Sequence, residues 1–157
     1  MKSHGIARHF LLVFIIALVG YAVVYSIIEH RRTRNGPWQI TFTHDVSGTP
    51  AIVVNQPGLA ITNLWIVFAG GKIPATNFSG TLTFTQPQAV PFVVPFGQCV
   101  FMDMTSLPGT IAFELFGHEI QLIPRVLTID KKERAWESNT TIPLPARNTT
   151  APPAQAP

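Results

Sequence analysis

The chain has 157 residues, of which 46% are hydrophobic and only 12% are charged, and its formal net charge is +3. This length fits one domain, and the charged share is about half that of an ordinary soluble protein. The single cysteine excludes an internal disulfide, a cysteine-rich zinc module and a CxxC redox site. The glycine-rich phosphate-binding motifs and the H-E-x-x-H zinc motif are absent from the sequence.

A short basic tail, residues 1–9, precedes an uncharged apolar run at residues 10–28. About 20 apolar residues in a helix cross a hydrocarbon core of roughly 30 Å. The apolar core of a cleaved signal peptide is shorter and ends in a small-x-small site, which does not follow here. The run therefore predicts a single transmembrane helix that stays attached.

Four residues of this run are candidates for helix packing and interfacial placement. Ala22 and Ser26 lie one turn apart and are small, so a second helix can approach them closely. Tyr21 and Tyr25 lie near the exit end, where tyrosine suits the membrane interface. Basic residues flank the run on both sides in nearly equal number, so the positive-inside rule gives no clear orientation of the helix in the membrane. The polar, threonine-rich remainder favours a bacterial inner membrane protein with its folded part on the periplasmic side.

Residues 29–37 form a juxtamembrane linker that spans at most about 30 Å when extended. We therefore expect the folded part to stay against the bilayer or against neighbouring subunits.

From residue 38 to residue 135 the apolar residues recur with period two, which is typical of strands. Short runs of this kind are separated by turn sequences rich in Gly and Pro, and the pair Phe116-Gly117 is suited to a tight hairpin turn. We predict an all-β domain, an antiparallel β-sandwich of about eight strands. The clearest alternating runs are at residues 38–43, 64–68, 81–85, 111–115 and 126–130.

Charge is scarce in this predicted domain, because residues 35–130 contain two basic and five acidic side chains. A nucleic-acid-binding protein places basic residues on the folded face that meets phosphate, so the sequence does not predict nucleic acid as a partner. A surface with so few charges indicates cover by a protein partner or by lipid headgroups. Trp38 and Trp65 are the candidate interface residues.

Residues 136–157 lack periodicity and are rich in Pro, Thr and Ala, which predicts a disordered tail. Two interpretations of Trp136 stay open: it closes the edge of the sandwich, or it belongs to the tail.

Chemically reactive side chains are sparse in the folded part. His44, Cys99, Asp103 and His118 would make a metal site only if the fold brought all four together, and their spacing does not support this. Glu114 and Glu119 are better explained as a solvated strand face or as a salt bridge to Arg125 than as a catalytic carboxylate pair. We therefore predict no catalytic residue, no metal site and no cofactor.

These features predict a non-catalytic accessory or scaffold subunit that docks on and stabilises a membrane protein complex through its sandwich and anchor helix. Its expected partners are integral membrane protein subunits and the lipid bilayer. Two alternatives stay open: a membrane-tethered binding module for a small ligand or a cell-envelope polymer, and a metal-dependent enzyme or metal carrier.

Overall fold

The structure, a computed structural model, describes residues 4–71 and 79–147. The chain divides into two compact units, residues 1–34 and residues 35–157.

The first unit is a single helix, α1, from His4 to Arg32. Its 29 residues extend for about 43 Å at 1.5 Å per residue. Within Ile6–Arg32 an 18-residue window has a mean hydropathy of 2.7, so the helix is long and apolar enough to span a membrane. Large apolar side chains are exposed along this stretch, as expected for a helix that requires lipid around it.

The helix is longer at both ends than the predicted span of residues 10–28. The helical pattern continues through the basic flanks, and three basic residues fill its last turn, where cations interact favourably with the helix dipole. The amide of Thr33 donates to the carbonyl of Glu29 at 3.1 Å and closes that turn. The first residues of the predicted linker are therefore helical.

The second unit is a β-sandwich, which confirms the predicted fold class. One sheet has five strands in the order β11-β3-β2-β1-β4, and the other has six in the order β10-β9-β8-β7-β6-β5. The strands are β1 Trp38–His44, β2 Pro50–Gln56, β3 Ile61–Phe68, β4 Gly80–Phe84, β5 Phe92–Val94, β6 Gly97–Asp103, β7 Thr110–Leu115, β8 His118–Ile123, β9 Val126–Ile129, β10 Lys132–Arg134 and β11 Thr141–Leu144.

The described residues thus contain eleven strands where about eight were expected. The difference comes partly from strands without a readable pattern: β10 is exposed at every position, and β11 lies in the predicted tail. All described pairings are antiparallel except the one between β11 and β3, which is parallel.

The core lies between the two sheets and follows the alternation of the sequence. Trp38, Ile40 and Phe42 of β1 are fully buried, while the intervening residues are partly or fully exposed. On the other sheet Phe113 lies opposite Ile120 in the register, and both are fully buried. These apolar faces supply the hydrophobic free energy that stabilises the sandwich.

The turn between β7 and β8 has the geometry expected from its sequence. Phe116 and Gly117 have φ angles of 49° and 76°, and Leu115 pairs with His118 across the turn. Positive φ at both central residues is the mark of a tight hairpin whose twist matches the strands.

The prediction of a disordered tail from residue 136 is wrong for residues 136–147. Ile142 and Leu144 of β11 are buried, and the carbonyl of Leu144 accepts a hydrogen bond from the amide of Ala69. The sandwich therefore extends beyond its predicted end at residue 135. Pro143 has no backbone N–H, but β11 is an edge strand, so one side of it needs no hydrogen-bond donor. A strand can therefore form within a proline-rich segment whose composition predicted disorder. Residues 148–157 lie outside the described residues.

Candidate functional site: the anchor and the outer sheet faces

The anchor helix carries the four predicted packing residues on its exposed surface. The rings of Tyr21 and Tyr25 stack with centroids 6.1 Å apart and an interplanar angle of 22°. Ala22 and Ser26 occupy the neighbouring positions one turn apart. Close approach of a second helix at this site stays a prediction.

Trp38 is not an interface residue, so this prediction is wrong. Its side chain is fully buried, and its indole Nε1 donates to the carbonyl of Gly109 at 3.0 Å. The physical reason lies in the strand period: Trp38 is in phase with Ile40 and Phe42, so all three face the core. The alternation of these residues with Gln39 and Thr41 is visible in the sequence and could have predicted the burial of Trp38.

Trp136 closes the edge of the sandwich, which settles the two interpretations left open. Its ring lies against Trp38 with centroids 5.2 Å apart, and its Nε1 donates to the carbonyl of Ile123 at 2.9 Å. The indole N–H groups of both tryptophans therefore have hydrogen-bond acceptors, as buried indole groups require.

Trp65 lies on the outer face of the five-stranded sheet and is half-buried. In the register it stands opposite Val53 of β2 and Thr141 of β11. Among the residues that the structure describes, every strand residue on this face is uncharged. By register its members are Gln39, Thr41, Thr43, Ala51, Val53, Asn55, Trp65, Val67, Thr81, Thr83, Thr141 and Pro143.

The outer face of the six-stranded sheet differs in charge. Glu114 and Glu119 lie directly opposite each other on β7 and β8, an arrangement in which like charges repel. Each carboxylate accepts a hydrogen bond from a neighbouring amide: Gln98 donates to Glu114 at 2.9 Å, and Gln121 donates to Glu119 at 2.5 Å. The pair therefore forms part of a hydrated polar strand face, as the sequence favoured.

His118 points into the sandwich and holds the end of the tail strand in place. It is 1% exposed; its Nδ1 lies 2.8 Å from Oδ2 of Asp130, and its Nε2 lies 2.9 Å from the carbonyl oxygen of Pro145. A carboxylate oxygen and a carbonyl oxygen therefore lie within hydrogen-bond distance of the two ring nitrogens of His118. Arg147 adds a contact to Asp130 at 3.0 Å.

The charge of Asp130 is stabilised by these neighbours. Partial burial acts to raise the pKa of Asp130, but the hydrogen bond from His118, the amide of Glu119 and the charges of His118 and Arg147 outweigh it. The pKa of this carboxyl is therefore held below its usual range. We name the group of His118, Asp130, Pro145 and Arg147 the tail clasp, because it joins the chain after β11 to the opposite sheet.

A surface cavity of about 620 Å³ lies beside the tail clasp. Its volume is within the range of small-molecule sites, but charged side chains dominate its lining, whereas such sites are mostly apolar. The lining residues are Val100, Glu114, Gly117, Glu119, Asp130, Lys131 and Arg147.

The four residues considered for a metal site have separate surroundings. Cys99 faces the core, where burial raises the pKa of its thiol to about 11, and its Sγ lies 3.5 Å from the carbonyl oxygen of Phe101. Asp103 accepts hydrogen bonds from the hydroxyl and the amide of Thr105, chiefly the hydroxyl, and these lower its pKa.

His44 lies against the ring of Phe96, and both ring nitrogens of His118 are occupied in the tail clasp. Within residues 4–71 and 79–147, no three His, Cys, Asp or Glu side chains come together as a metal site would require.

The chain matches no protein-family model, no curated protein and no solved structure. Its function must therefore be inferred from its own residues.

Proposed function

We propose that this chain is a non-catalytic, single-pass accessory subunit that docks on and stabilises a membrane protein complex. The anchor helix supplies membrane attachment and helix packing, and the sandwich supplies the docking surface. The observation that carries the proposal is the uncharged outer face of the five-stranded sheet on a domain tied to a membrane-spanning helix by a few residues.

The tether between the helix and the sandwich is short. Gln56 is buried, and its Nε2 donates to the carbonyls of Gly36 and Pro37 at 2.9 and 3.0 Å, so the sandwich begins at the end of the predicted linker. Gly58 lies against the backbone of Asn35, because a Cβ on Gly58 would stand 2.4 Å from the carbonyl oxygen of Asn35. Only three residues separate Arg32 from Gly36, and a chain of that length spans at most about 14 Å.

This tether favours partners in the same membrane. A domain restricted to the membrane surface meets other membrane proteins at a high effective concentration, so even a weak contact surface gains occupancy. We place the protein in a bacterial inner membrane with the sandwich on the periplasmic side, because its threonine-rich strands and proline-rich tail resemble exported domains.

The uncharged sheet face has the composition of a docking surface. Cores of protein interfaces are depleted of charged residues and enriched in aromatic ones. Trp65, which is half-buried, supplies the aromatic group. Val53 and Val67 on the same face are buried, so the surface that a partner can reach consists of Trp65 and the exposed threonines and amides around it. An integral membrane subunit that presents an equally uncharged surface fits this face, since neither partner then leaves a buried charge unpaired.

Affinity purification of the tagged full-length chain from native membranes in mild detergent tests the proposal, with mass spectrometry of the eluate. The informative variant is Thr43→Arg, which puts a charge on the uncharged face, and the matched control is Gln121→Arg on the other sheet. Both positions are half-buried on central strands.

We expect a defined set of membrane subunits to co-purify with the unmodified chain and with Gln121→Arg, and to be lost with Thr43→Arg at unchanged membrane content and thermal stability. A chain that purifies without membrane subunits, or a set of subunits that Thr43→Arg retains in full, would contradict the proposal.

The cavity beside the tail clasp favours a second candidate function, a membrane-tethered module for a small ligand or a cell-envelope polymer. Its lining includes the acidic Glu114 and Glu119 and the basic Lys131, which would suit a ligand that carries both signs of charge. Binding of envelope fragments by calorimetry, lost in the variant Lys131→Glu, would support this function over the accessory role.

A further inference from the structure

The four sheet edges of the sandwich differ in how they are protected against pairing with another strand. An edge strand presents unpaired backbone groups, and natural domains protect such edges with charge, proline, shortness or bulges. The edge strands among the described residues are β4 and β11 of one sheet and β5 and β10 of the other.

Three of these edges carry a protecting feature. β10 consists of three exposed residues that are all charged, Lys132–Arg134. β11 contains Pro143, which cannot donate to a further strand. β5 has only three residues, with Pro91 before it and Pro95 after it.

β4 carries none of these features. Its five residues, Gly80–Phe84, contain no charge and no proline, and its register with β1 runs without a bulge. Thr81 and Thr83 are exposed on the outer face, whereas Phe84 is buried. β4 is therefore the one described edge that is open to strand addition.

The sequence of β4 is nearly symmetric about its central residue, Leu82, which has a threonine on each side. In an antiparallel pair of two β4 strands centred on Leu82, this residue faces its own copy. Thr81 then faces Thr83 of the second copy, and the reverse contact repeats it. Such a two-fold contact uses the same surface on both chains.

The structure already contains the side-chain contact that this pairing would repeat. The hydroxyl of Thr81 lies 2.8 Å from that of Thr41 across the β1–β4 pair. Threonine pairs of this kind stabilise neighbouring strands on one face. Pairing of two β4 strands would extend the row of threonines and join the two five-stranded sheets into one.

We propose that β4 is a self-pairing edge through which two copies of this chain form a dimer with a continuous ten-stranded sheet. Anchoring in one membrane assists this association, because it raises the effective concentration of the two sandwiches. The dimer does not depend on which membrane subunits the uncharged face contacts, so it can be tested on the purified chain alone.

The first test is the mass of the purified full-length chain in mild detergent, measured by light scattering. We expect the mass of two chains for the native sequence and of one chain for Thr83→Lys, which adds to β4 the charge that protects other edges. The matched control is Val93→Lys on the edge strand β5, an exposed position of the other sheet, and we expect it to stay dimeric. Thermal unfolding of each variant checks that the sandwich is intact.

The second test is disulfide cross-linking in membranes, in a Cys99→Ala background that removes the only native cysteine. Residues directly opposite in an antiparallel pair have Cα atoms about 5 Å apart, within the range of a disulfide. Co-expressed Thr81→Cys and Thr83→Cys chains should therefore cross-link. Thr81→Cys alone should not, because its two copies would lie about 8 Å apart.

Three results would each overturn the proposal. One is a monomeric native chain. Another is a dimer that persists in Thr83→Lys, which would assign the contact to the anchor helix or to another surface. The last is cross-linking of Thr81→Cys to itself with an efficiency equal to that of the mixed pair, which would contradict the register.

Discussion

Replacing Trp136 by alanine tests whether the chain after β10 belongs to the cooperative fold of the sandwich. Trp136 is partly buried, packs on the core and lies against the fully buried Trp38. Removal of its ring takes away an aromatic contact of Trp38 and leaves the carbonyl of Ile123 without its indole donor. If residues 136–147 were a loosely attached tail, this change would scarcely affect the unfolding of the sandwich.

The expected loss follows from these contacts. Truncation of a buried Trp or Phe to alanine costs about 3–5 kcal/mol, of which an aromatic pair accounts for about 0.5–1.5 kcal/mol. Because Trp136 is only partly buried, we expect about 2–3 kcal/mol for Trp136→Ala. At about 4 °C per kcal/mol, which suits a domain of roughly 100 residues, the melting temperature falls by about 8–12 °C.

The assay is scanning calorimetry of the full-length chain in mild detergent, since fluorescence would lose one of its tryptophan reporters. Trp136→Phe is the control that keeps a smaller aromatic ring and removes the N–H donor, and we expect it to cost about 1–2 kcal/mol, less than Trp136→Ala. A melting temperature for Trp136→Ala within about 2 °C of the native value would refute the reasoning that Trp136 closes the core.

Three further predictions concern the acid limit, the buried thiol and a close backbone contact. Asp130 has a lowered pKa in the fold, so its contribution to the free energy of unfolding is complete above the pKa of the unfolded chain, about 3.9. This contribution is lost as the pH falls through the lower pKa of the folded chain. Asp130→Asn should therefore flatten the acid side of a curve of stability against pH. Cys99 has a pKa of about 11, so its alkylation at pH 8 should be about 100-fold slower in the folded chain than in urea; equal rates would place the thiol outside the core. A Cβ on Gly97 would stand 2.0 Å from the carbonyl oxygen of Glu114, so Gly97→Ala should lower the melting temperature more than Gly48→Ala, where only the positive φ is strained; the reverse order would contradict this.

The parts of the structure that the sequence predicted correctly depend on local periodicity. The uncharged run at residues 10–28 identified the apolar helix, because a run of that length and hydropathy is long enough to cross a bilayer as a helix. Alternation along β1 and β7 identified strands and their buried faces, because side chains of a strand point to opposite sides in turn. The hairpin at Phe116-Gly117 followed from the conformational freedom of glycine.

The candidate interface residues show where composition misled the prediction. Trp38 is predicted as an interface residue, although its phase with Ile40 places it in the core. Trp65 has the opposite phase to Leu64 and Ile66 and lies on the outer face. The phase of each tryptophan within its strand, rather than its residue type, decided the outcome.

The amino-acid sequence by itself determined the apolar anchor, the β class of the folded part and the phase of its main strands, since each depends on neighbours within a few positions. Only the tertiary structure decided the parallel addition of β11, the position of Trp136 and the tail clasp. Their contacts join residues far apart in the chain, such as Ser138 to Ala60 and His118 to Pro145, across 78 and 27 positions. No local pattern specifies such pairs, because they form only when the strands have assembled and the two sheets have packed.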